Sequence, residues 1–173
     1  ATWNPANVLI TGNTFNHQIN KAIGLSASSS FDVLDSIVEK NTITNTALYP
    51  LYGERFDGIY QGIGISVSGK SYTVRQNTIE NSSHAGIELR GDGHHLIENN
   101  VVRNAMLLLN DGGAIVIGSN GNQIIGNFFF DSVGKFLVAF SLYRVAAAGV
   151  KRTPLGAFER ARYVAADGFQ PGA

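Results

Sequence analysis

His84, Glu88, Arg90 and Asp111 are the residues of this 173-residue chain whose types and spacing could do chemistry. Three of them fall in "SSHAGIELRGDG" at 82–93, and Asp111 heads "DGG" at 111–113. A histidine near a carboxylate makes a general base with an orienting partner. An arginine can grip a carboxylate through two parallel hydrogen bonds. A second group, Tyr49, Tyr52, Glu54, Arg55, Asp57 and Tyr60, offers tyrosines and an arginine that stack on or hydrogen-bond a polar ligand. Each has an everyday alternative. Glu88 and Arg90 would form the ion pair common along exposed strands and worth little. Asp111-Gly112-Gly113 and Asp57-Gly58 are turn sequences, and His84 would serve as a corner cap. The tyrosine-rich run would equally pack and solvate a long loop.

Composition narrows the classes. Formal net charge is zero and charged residues make up 15%, with no basic run to suit nucleic acid. No apolar stretch is long enough to span a membrane, and the first residues show no signal-peptide pattern. The chain opens on Ala1 in mid-phrase, which reads as a processed chain or an excerpt. With no cysteine there is no disulfide and no thiolate metal site. No cofactor is evident.

The elements that must position these residues come from a repeat. Asn13, Asn41, Asn77, Asn100 and Asn127 share their surroundings. Three positions before each stand Ile10, Val38, Val74, Ile97 and Ile124; two after stand Phe15, Ile43, Ile79, Val102 and Phe129. Four after, His17, Asn45, Asn81, Asn104 and Asp131 recur. A further β-prone segment follows each time, at 22–28, 62–68, 86–91, 114–119 and 136–141. The period is 22 to 24 residues, with insertions of twelve and five in coils two and four. Short β segments at that period predict one coil of a parallel β-helix per repeat. A leucine-rich repeat has a similar period but needs an L-x-x-L-x-L strand, which is missing. Asn weakens an ordinary strand. Stacked about 4.8 Å apart, the asparagines would instead bond one another in a column and take left-handed backbone at the bend.

The phrase N-x-[apolar]-x-N followed by G-I and a strand resembles the right-handed parallel β-helix repeat proteins over residues 8 to about 135. That superfamily includes pectate-lyase-like enzymes, C5-epimerases, some glycosidases, phage tailspikes and non-enzymatic surface proteins. The resemblance implies an all-β, single-stranded right-handed helix of about five coils. It also implies an extracellular or periplasmic setting, a polysaccharide partner, and calcium as a ligand seen in the family. Residues 1–135 would carry the repeats, and 136–173 a last partial coil and a divergent tail. The tail has no Asn against sixteen before it, and "LGAFERARYVAADG" suits a short helix that would cap the open end.

On that frame the two insertions leave one corner as walls about 10 Å apart, two coil spacings. With Ile23, Ile63, Ile87 and Ile115 pointing inward, Gly24, Gly64, Glu88 and Val116 would pave the floor, then Ser26, Ser66, Arg90 and Gly118. By analogy with the family, Arg90 or Arg55 would neutralise a uronate carboxylate. His84 or a tyrosine would move the proton and Asp111 would orient the histidine, giving lyase or epimerase chemistry. Hydrolysis by Glu88 with Asp111 is the rival, and a non-catalytic adhesin, fibre or polysaccharide-binding segment is the alternative from another class. His94 and His95, adjacent on a strand, would face opposite ways and could not share a metal.

Overall fold

The computed structural model describes residues 7–27, 36–49, 62–109 and 112–132, and the backbone of 135–139 and 144–146. Each rung carries three short strands. Rung one is β1 (Leu9–Thr11), β2 (Thr14–Asn16) and β3 (Ile23–Ser26); rung two is β4 (Ile37–Glu39), β5 (Thr42–Thr46) and β6 (Ile65–Lys70). Rung three is β7 (Thr73–Arg75), β8 (Thr78–Ser82) and β9 (Ile87–Gly93); rung four is β10 (Leu96–Glu98), β11 (Val101–Arg103) and β12 (Gly113–Ile117). Rung five is β13 (Gln123–Ile125), β14 (Phe128–Phe130) and β15 (Lys135–Ala139), and β16 (Arg144–Ala146) opens a sixth.

These strands stack in three sheets. The first runs β1-β4-β7-β10-β13-β16, the second β2-β5-β8-β11-β14, and the third β3-β6-β9-β12-β15. All neighbours are parallel, and no helix occurs among the described residues. The winding therefore passes Lys135 into two further strands. The remaining tail, where the sequence suits a helix, lies outside the described residues.

Both apolar offsets hold in the registers. Val38 pairs with Ile10 and Val74, and Ile97 with Val74 and Ile124. Ile43 pairs with Phe15 and Ile79, and Val102 with Ile79 and Phe129. With Ile65, Ile87, Leu89, Ile115 and Ile117 of the third sheet they form the core inside the winding. Alternation along each three- to five-residue strand suffices to bury one side and leave the other to solvent.

The asparagine-centred segment is two strands, not one. The chain bends at the asparagine, so β1 and β2 belong to different sheets, and likewise in each later rung. Oδ1 of Asn41, Asn77, Asn100 and Asn127 accepts both the backbone N–H and the Nδ2–H of the asparagine one rung earlier, at 2.9–3.1 Å. Nδ2 of the same four also donates to the carbonyls of Ile10, Val38, Val74 and Ile97, at 2.8–2.9 Å. The column thus satisfies buried polar groups that a bend would otherwise strand.

One expectation changes. These asparagines do not take left-handed backbone; the residue before each does, at Gly12, Lys40, Gln76, Asn99 and Gly126, with φ from 54° to 68°. The left-handed turn sends the chain around the corner and leaves the asparagine free to aim its amide along the axis. A second left-handed column closes the far end of the second sheet at His17, Asn45, Asn81, Asn104 and Asp131, with φ from 47° to 60°.

Candidate functional site

The third sheet presents the candidate surface. Ile23 aligns with Ile65, not Ile63, and Ile65 aligns with Ile87. The outward rows are therefore Gly24, Ser66, Glu88 and Val116, then Ser26, Ser68, Arg90 and Gly118. Gly64 and Ser66 do not fall where the sequence spacing put them. The cause lies at the corner: a Cβ on Gly64 would meet the Gly86 carbonyl oxygen and Ile79, each at 2.7 Å, so the glycine is packed against the inner wall. Ile63 is buried instead in a small group with Ala85 and Val116.

Glu88 is the centre of a polar network on this face. Its Oε1 accepts from Arg90 Nη2 at 2.8 Å and Nε at 3.1 Å, and its Oε2 accepts from Ser66 Oγ at 2.9 Å. Lys21 Nζ donates to Ser66 Oγ at 3.3 Å. Glu88 faces outward yet is only 4% exposed, whereas the Arg90 side chain is 39% exposed. A buried carboxylate is tolerable because it is paired and hydrogen-bonded. Both of those arginine bonds go to one oxygen. Nη1 makes no bond to the protein among the described residues and lies over Gly118, 2.9 Å from where a Cβ would sit.

His84 occupies a different place, at the corner before β9. It is 2% exposed, its N–H donates to the Gly62 carbonyl at 3.0 Å, and its carbonyl accepts from Met106 N–H at 2.8 Å. Its ring packs on Gly112, whose Cβ position lies 2.8 Å from Nε2, with Met106 Sδ beside the same glycine. Gly112 follows Asp111 directly in the chain. Asp111 itself, and Tyr52, Glu54, Arg55, Asp57 and Tyr60, lie outside the described residues. Tyr49 is exposed, with its ring 6.0 Å from His17.

The coil-four insertion does not start as an upright wall. Leu107 N–H donates back to the Ser82 carbonyl, and Leu108 and Leu109 N–H to that of Ser83, at 3.0–3.1 Å. Acceptors on the short corner of rung three draw the loop down over it. The coil-two insertion, residues 50–61, lies outside the described residues.

Sequence reasoning missed the third corner, between the third sheet and the first. There Ser36, Tyr72, His95 and Asn122 stack, one before each of β4, β7, β10 and β13. The signal was legible: each lies five positions before its ladder asparagine. His94 is exposed and His95 fully buried, as expected, but they sit in the link between β9 and β10 rather than on a strand, and His94 holds left-handed backbone at φ 55°. Burial lowers the His95 pKa from its ordinary value and raises that of the Tyr72 hydroxyl. Among the described residues no group of three or more His, Asp or Glu is placed to hold a metal ion. Nor is any helix there long and apolar enough to cross a membrane.

Residues 63–146 match the family described as right handed beta helix region. With three sheets of stacked parallel strands, the described residues form a right-handed parallel β-helix. Neither the curated proteins nor the solved structures yield a match.

Proposed function

We propose that this β-helix is a polysaccharide-binding module that grips an acidic sugar chain on the outer face of its third sheet, in an extracytoplasmic setting. The observation that carries the reading is Arg90. Glu88 fixes its guanidinium through Nε and Nη2, while Nη1 has no partner among the described residues and lies beside Gly118, on a face whose neighbouring rungs present Ser66, Ser68, Gly24 and Ser26. A preorganised guanidinium loses little freedom on binding a carboxylate, and small residues let a flat ring approach the sheet. Lys21 adds a second positive charge on the same side. Titration with a uronate polymer in low salt, followed by calorimetry, tests this. Arg90→Gln should weaken binding about tenfold, the scale of one charge-assisted hydrogen bond. A neutral polymer bound equally well by both proteins would refute the reading.

A catalytic reading has one observation in its favour: the His84 ring rests on Gly112, the neighbour of Asp111. Under that reading His84 is the base and Asp111 its orienting partner in lyase or epimerase chemistry. The appearance of unsaturated product on incubation with uronate polymers, abolished by His84→Gln, would favour it. Binding without product favours the module.

A further inference from the structure

The third corner holds a histidine whose two ring nitrogens are both committed to backbone groups of neighbouring segments. Nδ1 of His95 lies 3.2 Å from the Tyr72 backbone nitrogen, whose N–H it accepts. A nitrogen that accepts carries no proton, so the neutral ring must hold its proton on Nε2. That N–H then points at the Arg90 carbonyl, 3.1 Å away, and donates to it. One tautomer satisfies both contacts. The imidazolium cannot, because it has a proton on each nitrogen and would face the Tyr72 N–H with a donor.

We propose that His95 is an acid-sensitive latch: protonation breaks the Tyr72–His95 link and so loosens the third corner between rungs three and four, while the Nε2–H bond to the Arg90 carbonyl remains. The side chain is fully buried, so the charged form also loses its hydration. Burial is the main cause of its lowered pKa, and His94 next to it acts in the same direction. The Arg90 carbonyl contact acts the other way but is outweighed. The titratable or charged groups on the surrounding segments are Arg90, Asp92 and His94 on its own stretch, Lys70 at the end of rung two and Tyr72 at the start of rung three. Ser36, Ser119 and Asn122, on the corners of the flanking rungs, carry no charge. Among the described residues the flanking corners offer no acid, and Asp92, on the same stretch as His95, is exposed.

The linkage runs in one direction. A histidine with a lowered folded-state pKa contributes stability that is fully present above about 6.5, its unfolded value, and lost as pH falls from there toward the folded value. Acid unfolding should therefore begin in the mildly acidic range, before most carboxylates titrate. The device stands whether or not Arg90 holds a sugar.

The fold supplies the control. One rung further on, Asn122 Oδ1 accepts the His95 N–H at 3.0 Å, the same task that His95 performs for Tyr72. His95→Asn should therefore keep the acceptor and remove the titration. We expect the urea midpoint of the native chain to fall steadily between pH 7 and pH 5, and that of His95→Asn to stay flat there. Nitrogen-15 chemical shifts should show His95 in the Nε2–H tautomer, titrating below the ordinary histidine value of about 6.5. Equal slopes for the two proteins, or a His95 that titrates at or above the ordinary histidine value, would overturn the proposal. Should His95→Asn not fold, the nitrogen shifts of the native chain decide alone.

Discussion

Two columns of asparagine bracket the second sheet, and they bond differently. In the column at Asn41, Asn77 and Asn100 each Oδ1 takes two donors and each Nδ2 reaches both an Oδ1 and a carbonyl, at 4% exposure or less. In the column at Asn16, Asn45, Asn81 and Asn104 a single side-chain bond links neighbours, at 2.9–3.0 Å, with solvent on the other side. The same residue, at the same vertical spacing, is structural cement in one place and surface decoration in the other. What separates them is where the freed backbone groups lie. The inner bend would bury them unpaired without the asparagine side chains, whereas at the outer bend main-chain groups of the next rung take them, as the Thr44 carbonyl does for His17 N–H and the Phe130 carbonyl for Asn104 N–H.

Mutations at each column should expose that difference. Asn77→Ala removes the acceptor of two Asn41 donors and the donor to the Val38 carbonyl. It should cost about 3 kcal/mol in urea unfolding, the scale of stranding several buried polar groups. Asn81→Ala should cost less, about 1 kcal/mol, because water replaces its two ladder bonds. Gln76→Gly should be neutral or stabilising by about 0.5 kcal/mol, since residue 76 holds φ at 55° where glycine has no steric penalty. A clear loss there would mean that the Gln76 side chain, not its backbone, makes the corner.

The smallest effect belongs to the outer face of the first sheet. Arg75 hydrogen-bonds Glu39 at 2.7 Å and holds its carboxyl below the ordinary range. A depressed carboxyl contributes stability above its unfolded pKa and loses it as pH falls through the folded one. Arg75→Ala should barely move the urea midpoint at neutral pH, and that small difference should vanish in high salt.

Much of the architecture was legible because stacking repeats one environment in every rung. Asn13, Asn41, Asn77, Asn100 and Asn127 announced it, as did their apolar companions three before and two after. What escaped had physical reasons. "GIGISV" holds Ile63 and Ile65, and a shift of two residues leaves alternation intact, so pattern cannot choose between them. The choice fell to the close packing of Gly64 on Gly86. The left-handed residues escaped because Lys40 and Gln76 are not turn-formers, and position alone imposes that backbone on them. The candidate site was half legible. Glu88 and Arg90 stood out as charges on a plain face, but nothing local said that Ser66 and Lys21 would join them from other rungs. His95 drew notice only as half of a histidine pair on a strand, because its partner, Tyr72, is 23 residues away.

The central claim is that distant asparagines are vertical neighbours, and a double-mutant cycle on Asn41→Ala and Asn77→Ala measures it directly. These residues are 36 apart in sequence and joined by two bonds near 3.0 Å. Stacking predicts a coupling of about 1 kcal/mol or more between the two losses. Additive losses, agreeing to within about 0.3 kcal/mol, would contradict it.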